Sequence, residues 1–326
     1  MPDSGYFIHQ LDISNYSSLV PLMKDCFGME VDEGYFKWKY FENPAGHCVG
    51  FLAIERKTNT TVAFYGAIPQ KYLVDSKEII IYQACDTMTH TQHRKKSLFP
   101  VLAQECYRYL QDQNNFRMIS IGGTALTFSV LKLLGWKPVF NFRTYFKPIY
   151  FCWFYFLKRY SADSFVAEPE FDAVERVLLS QPQAAKIRSP KDPMHYKWRV
   201  NNPRYTYQIV AYSNRNTIKG FVVYYILNNK VFLFDLIGAD ASAEKALLWY
   251  LSKIVVTNKY RGILAFCQEN GNQSFRLKRK LFLTNPFNRG PLSVRSPLFV
   301  NGYDSEITKF LNPDIWDLSA YDYDAS

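Results

Sequence analysis

Short runs in which apolar and polar residues alternate, followed by longer stretches with apolar residues at helical spacing, occur along this chain in the same order twice. In the first half, β-type runs at 51–54 and 62–65 flank the polar turn Lys57-Thr58-Asn59-Thr60, and a third strand runs over 78–86. A helix is predicted over 97–111, with Leu98, Val101, Leu102, Glu105 and Tyr109 along a mainly apolar stripe. A strand at 118–121 and a helix over 125–134, stopped by Gly135, close the unit. The second half repeats this with runs at 208–211 and 221–224 around Ser213-Asn214-Arg215-Asn216, then a strand over 230–235. A helix from Ser242, a strand at 262–266 and a helix over 272–282 follow. Each third strand is expected to end on an aspartate, Asp86 or Asp235.

A local echo supports the repeat: Trp38-Lys39-Tyr40-Phe41-Glu42-Asn43-Pro44 returns as Trp198-Arg199-Val200-Asn201-Asn202-Pro203. The chain therefore reads as two copies of one unit, 1–146 and 165–326, joined by an aromatic-rich connector at 147–164. Three consecutive strands before the first helix do not match the strict alternation of a doubly wound sheet. The expected class is α/β with a mixed α+β sheet, mostly antiparallel, and helices on both faces.

Composition narrows the chemistry. Apolar residues make up 48% of the 326 and charged residues 21%, which excludes a disordered or fibrous chain. Lys and Arg number 39 against 29 Asp and Glu, a net +10 that favours anionic ligands, and 17% aromatic residues offer surfaces on which planar ligands stack. Six scattered cysteines with no C-x-x-C pair point to reduced thiols and a cytoplasmic protein. The opening Met1-Pro2-Asp3-Ser4-Gly5 lacks a secretory pattern. The apolar segment 148–157, between Lys147 and Lys158, falls short of the ~18 residues needed for a membrane span. It is expected to be a core or interdomain element in preference to an interfacial membrane patch. No phosphate-binding G-x-x-x-x-G-K-[ST] loop, zinc-binding cluster or G-x-S-x-G elbow occurs, so no metal is expected.

The most informative segment runs from Asp86 through Thr87-Met88-Thr89-His90-Thr91-Gln92-His93-Arg94-Lys95-Lys96-Ser97-Leu98-Phe99. A strand end passes here through a basic loop into a helix start, where free backbone N–H groups and the helix dipole favour an anion such as a pyrophosphate. The segment resembles the acyl-CoA-binding strand-loop-helix of the GNAT acyltransferase superfamily, with Arg94 in the first motif position and Ser97 and Phe99 where that motif carries glycines or alanine. Phe36-x-Trp38-Lys39-Tyr40-x-x-Asn43-Pro44, Gln83-x-x-Asp86-x-Met88-Thr89-His90 and Leu134-Gly135-Trp136-Lys137 resemble a bacterial branch of that superfamily associated with cell-surface polysaccharide synthesis.

The resemblance implies two GNAT-like domains in tandem. It also implies an acyl-CoA cosubstrate and, as acceptor, the amine of a nucleotide-linked sugar such as a dTDP-linked amino-dideoxyhexose. The acyl group is acetyl or a larger, even hydroxylated, chain. Thr87, Met88, His93, Arg94, Lys95, Lys96, Ser97, Leu98 and Phe99, with Thr127 and Ser129, are the expected CoA contacts. Backbone N–H groups of 85–88 would face the thioester oxygen, Asp86 is the first choice for a base, and His90, His93 or His47 could take the proton instead. Cys85 is a nucleophile candidate, although an alternating apolar strand favours a buried, inert thiol. The superfamily's usual tyrosine donor to the thiolate is missing from 122–129, leaving water, Thr127 or Ser129.

The second copy carries Asp235 and Asp240 and no Arg or Lys in the matching loop, 235–242, so it is expected not to hold CoA and instead to complete the acceptor pocket. Arg199, Tyr205, Asn288 and Arg289 are the acceptor-side candidates. Two alternatives stand: a protein or peptide amine as acceptor, or a non-catalytic basic module for nucleic acid or another anionic polymer. The second is disfavoured because the basic cluster sits at one strand-helix junction instead of along a face. The sequence sets no oligomeric state.

Overall fold

A computed structural model of the chain describes residues 5–157, 160–179, 187–285 and 296–323, with the side chains of 125, 126, 155, 156, 304 and 306 set aside. The first half runs β1 (Tyr6–Gln10), α1 (Leu19–Phe27), α2 (Glu33–Phe41), β2 (Val49–Glu55), β3 (Thr60–Val74), β4 (Lys77–Thr89), α3 (Leu98–Asp112), β5 (Arg117–Ile121), α4 (Ala125–Leu133) and β6 (Lys137–Pro148). After α5 (Ile149–Phe156), the second half follows with β7 (Phe165–Ala167), α6 (Phe171–Leu179), β8 (Ile187–Arg188), α7 (Pro193–Val200), β9 (Gln208–Asn214) and β10 (Thr217–Leu227). It ends with β11 (Lys230–Gly238), α8 (Ala241–Thr257), β12 (Gly262–Gln268), α9 (Asn272–Lys278), β13 (Leu283–Thr284), β14 (Ser296–Gly302) and α10 (Asp304–Phe310).

The strands join into one mixed sheet, in which β4 with β5 and β11 with β12 are the parallel pairs and the other described pairings are antiparallel. Its order, β1-β2-β3-β4-β5-β14-β6-β12-β11-β10-β9-β7, is a palindrome in terms of the repeat. Each strand of the first half has its counterpart at the mirrored place, and the pseudo-twofold axis passes between β14 and β6. The two copies have exchanged their last strands: β14 of the second half lies on β5 of the first, and β6 of the first lies on β12 of the second. Gly262, at φ +151°, allows that crossing, because a Cβ there would run into the Lys147 carbonyl oxygen.

The repeated tryptophans mark the same symmetry. Trp38 on α2 and Trp198 on α7 stack with centroids 4.9 Å apart and planes 19° from parallel. Each indole Nε1–H donates to the other's backbone carbonyl at 2.9 Å. Both faces of the sheet are covered: α1 and α2 pack on one side of the first half through Leu19, Leu22, Phe36 and Tyr40, and α3 on the other through Leu102, Ala103 and Cys106.

Three expectations need correction. Neither aspartate ends its strand: β4 continues to Thr89 and β11 to Gly238, and a bulge lies at or beside each aspartate. The helix expected over 272–282 stops at Lys278, as the backbone reaches a left-handed turn at Leu281. Segment 148–157 is not a wholly buried element: Ile149 and Cys152 of α5 pack toward α8, but Tyr150, Trp153 and Phe154 face outward. The C-terminal tail docks onto the core, with Trp316 buried and its indole donating to the Phe310 carbonyl.

Trp198→Ala removes a buried stack and the hydrogen bond from the Trp198 indole to the Trp38 carbonyl across the symmetry axis, so it should destabilise the protein by about 3–5 kcal/mol. Trp38→Ala should cost a similar amount, and the double variant distinctly less than the sum. Urea denaturation of the three variants measures this coupling, and strict additivity would refute it.

Candidate functional site

The site is built where β4 parts from β5. Their parallel pairing is confined to Tyr82 with Met118 and Gln83 with Ile119, so from Ala84 onward the β5-facing edge of β4 has no strand partner among the described residues. On its other edge β4 carries a bulge, with Asp86 and Thr87 together opposite Tyr65, and Asp86 takes a left-handed φ of +44°. A bulge of this kind bends a strand and re-aims its neighbours. The outcome is a cleft of about 310 Å³ between the diverging strands, lined by Tyr65, Ala84, Cys85, Asp86, Thr87, Ser120, Gly122, Thr127 and Tyr323, among others.

Next to this cleft, with Phe99 stacked on the cleft-lining Tyr65 although none of 94–99 lines the cleft itself, α3 begins without a cap. Ser97 makes no side-chain cap hydrogen bond, and the first turn holds no acidic residue. The N–H groups of Leu98 and Phe99 therefore stand at the positive end of a 15-residue helix, in the way that suits an anion. Lys95 and Ser97 have φ values of +65° and +55°. They adopt the left-handed backbone that glycine would adopt more easily, so the turn forms without the motif's glycine. Phe99, in the other glycine position, stacks on Tyr65 at 5.8 Å and closes the helix against the sheet.

Asp86 lines the cleft, but its side chain is largely buried. Its carboxylate is ion-paired with the fully buried Lys39 and accepts a hydrogen bond from the Tyr40 hydroxyl at 2.6 Å. Burial first, then the Asp86 charge, pushes the Tyr40 phenol well above its ordinary range, so it stays a donor. Cys85 and Met88 are buried in the α1–α2 core.

The remaining candidates divide. Thr87 and Thr127 line the cleft; Ser129 and His90 do not. His90 faces Asp25 and receives the Gln92 amide, while His93 shares a hydrogen bond with the Tyr6 hydroxyl at 3.0 Å. Arg94 turns back to the Thr89 carbonyl, Lys96 lies over the Tyr6 ring, and Lys95 is exposed. Arg199 is buried and its guanidinium donates to the Tyr321 and Tyr323 carbonyls, anchoring the tail. Tyr205 packs on Tyr225 at 4.5 Å, away from both clefts. Asn288 and Arg289 lie outside the described residues.

Sequence reasoning missed Tyr323. Its ring rests on Phe266, its carbonyl is held by Arg199, and its hydroxyl reaches Gly122, where an added Cβ would lie 2.9 Å from the oxygen. No local pattern shows that the tail returns some 200 residues later to line the first cleft.

The second half has the symmetry-related cleft, about 460 Å³, where β11 parts from β12. Its chemistry differs. The N-terminus of α8 is closed by its own Asp240, which accepts from the amides of Ser242 and Ala243, both at 2.8 Å. Asp235, Asp240, Glu244, Asp317 and Asp322 line it against Arg188, Lys191 and Arg276, with Lys191 paired to Asp235 and Arg276 to Glu244. Burial raises the Asp322 carboxyl to about 6, against the opposing pull of Lys191. Among the described residues no group of three or more His, Cys, Asp and Glu side chains is arranged to hold a metal.

No family model and no curated protein matches the chain. Solved structures do. A conserved protein of Enterococcus faecalis V583, titled a probable N-acyltransferase, superposes with a TM-score of 0.69 at 9% identity, over 91% of this chain and 72% of that one. A GCN5-related N-acetyltransferase from Anabaena variabilis gives 0.63 at 10% identity, over 90% and 72%. The fold is that of the GCN5-related N-acyltransferases. Saccharomyces cerevisiae N-myristoyltransferase with bound myristoyl-CoA shares it, at a TM-score of 0.62 and 16% identity over 92% of this chain and 79% of that one.

Two stability predictions follow from the buried charges. Lys39→Met leaves the Asp86 carboxylate buried without its counter-charge and should cost about 3–5 kcal/mol, part of which Lys39→Met with Asp86→Asn recovers; urea midpoints of the two variants decide it. The folded Asp322 holds its proton more tightly than the unfolded chain does, so its ionisation costs stability above about pH 6, and the cost disappears by about pH 4. Asp322→Asn should therefore raise Tm by about 2–4 °C near neutral pH, with the gain shrinking to nothing toward pH 4. A gain that is independent of pH would contradict the assignment.

Proposed function

We propose that this chain is an acyl-CoA-dependent N-acyltransferase whose first half holds the acyl-CoA and whose second half receives the acceptor amine. The observation that carries this reading is the uncapped α3 N-terminus, joined through the Phe99–Tyr65 stack to a cleft floored by the bulged strand β4 where it parts from β5. The N–H groups of Leu98 and Phe99 would take the pyrophosphate, with Lys95 and Lys96 adding charge. The β5-facing edge of β4 beyond the Gln83–Ile119 pair would line up with the pantetheine arm and direct a backbone N–H at the thioester oxygen. The structural neighbours, an N-myristoyltransferase with bound myristoyl-CoA among them, support the same class.

In the reaction the amine nitrogen attacks the thioester carbon, the C–N bond forms, the C–S bond breaks, and the amine's proton is lost as the thiolate gains one. Lys39 and Tyr40 fix the Asp86 carboxylate, and through it the bulge that exposes the strand edge. We assign Asp86 this positioning role, with proton removal left to water at the cleft. The Tyr323 hydroxyl lies in the cleft wall and is the side chain best placed to donate to the departing thiolate. Cys85 is buried and its side chain packs in the α1–α2 core, so direct attack by the amine is preferred to a covalent acyl-enzyme.

For the acceptor, a nucleotide-linked amino sugar accords with the basic surplus and the many aromatic side chains. The carboxylate-dominated lining of the second cleft favours the other reading, an amine presented as an ammonium on a protein or peptide. Aminoacyl or peptide amines tested against dTDP-amino sugars, with acetyl-CoA and longer acyl-CoAs, separate the two.

Calorimetric titration with coenzyme A should show one site per chain, and its absence would refute the proposal. Arg94→Ala should weaken binding several-fold through loss of the loop's tie to Thr89, Ser97→Gly should leave it unchanged or tighter, and Ser97→Val should weaken it. Cys85→Ala should keep most activity. Tyr323→Phe should lower kcat by about 10²-fold with little change in KM and flatten the alkaline limb of the kcat–pH profile. An equal loss in KM alone would make Tyr323 a wall of the cleft.

A further inference from the structure

Helix α5 presents an outward face that the fold does not require. Tyr150, Trp153, Phe154 and Leu157 recur at helical spacing, and their exposures are 78, 53, 63 and 77%. The opposite face is committed to the protein: Cys152 is fully buried, and Ile149 packs with it against the α8 layer. The symmetry-related helix, α10, follows β14 as α5 follows β6. It buries Ile307 and Phe310 and otherwise carries the polar sequence Asp304, Ser305, Glu306, Thr308 and Lys309. The same place in the fold is thus occupied by an ordinary amphipathic helix in one copy and by an aromatic outer face in the other.

We propose that this face of α5 docks the protein on an anionic lipid surface. Tryptophan and tyrosine with neighbouring Phe and Leu are the side chains that settle in the headgroup region, where the apolar part is buried and the polar edge stays wet. The charge around them matches. Lys253 on α8 is exposed with its ammonium 5.6 Å from the Trp249 ring, and Lys259 and Arg261 are exposed in the turn leading to β12. The Arg261 carbonyl receives the N–H of Ile149, which places that residue at the start of α5. The acid of α8, Glu244, is paired with Arg276, and the next acid after α5 in the chain, Asp163, accepts from Ser161. A second copy seated on the same face by twofold symmetry would bring these cations against their own images, which disfavours self-association. The face is one to two turns long and no described helix is long and apolar enough to cross a membrane, so docking is interfacial.

Sedimentation with vesicles tests this without reference to acyl transfer. The protein should bind phosphatidylcholine vesicles containing phosphatidylglycerol, bind pure phosphatidylcholine much more weakly, and release with added salt. Trp153→Ser with Phe154→Ser should lower the partition coefficient by about tenfold or more in protein that still unfolds cooperatively. Lys253→Glu with Arg261→Glu should abolish the preference for the anionic lipid. Ile13→Ser, at an exposed apolar residue far along the chain, should change nothing. Absence of binding to the anionic vesicles, or binding that the Trp153/Phe154 variant retains in full, overturns the proposal. A dimer in analytical ultracentrifugation that this variant dissolves would overturn it in favour of a second copy as the occupant.

Discussion

The exchange of the last strands across the pseudo-twofold axis is the constraint on which the molecule depends. Without β14, the β5 edge of the first half would be open, and without β6, so would the β12 edge of the second. An open central edge is a row of unpaired backbone donors and acceptors, so neither half can complete its sheet alone. The Trp38–Trp198 pair locks the helices across the same axis, with each indole satisfied by the other half's backbone. Two copies of one unit have in this way become a single cooperative body, and its C-terminal tail, held by Arg199, is threaded between the two clefts.

On that symmetric frame small local changes create an asymmetry of chemistry. Both halves splay a parallel strand pair and start a helix at the opening. In the first, the α3 terminus has no side-chain cap and a basic loop precedes it; in the second, Asp240 takes the amides of α8 for itself. The buried aspartates differ in a parallel manner. Asp86 is neutralised from α2 by Lys39, whereas at the matching position of α7 Arg199 holds the tail, and Lys191 from the preceding segment neutralises Asp235. One cleft therefore has an uncapped helix start beside it, and the other sets five carboxylates against three cations in its lining. That division is the physical basis for assigning cosubstrate and acceptor to different halves.

The outward face of α5 extends the same theme. Equivalent helices α5 and α10 fill equivalent places, yet only the first carries its apolar side chains on both faces. A fold built from repeats allows such divergence at low cost, because the packing of the inner face is already provided by the shared architecture. Function then accumulates on the surfaces that symmetry leaves free.

Periodicity and charge together were enough to read four of the strands and two of the helices of each half, the class of the sheet and the basic junction at 86–99, because these are local properties of alternation, helical spacing and charge. The Trp38 and Trp198 echo was legible for the same reason. Other features could not be read locally. The bulge at Asp86 arises where one strand meets another, and the left-handed turn at Ser97 where the loop enters α3; an alternating pattern carries no mark of either. Nothing local in the sequence marks Lys39 as the partner of Asp86 until α2 lays it there. The strand exchange and the arrival of Tyr323 in the first cleft depend on pairings between residues far apart in the chain. Only the tertiary structure decides those, because every open strand edge must find a partner and the chain has more than one edge to offer it.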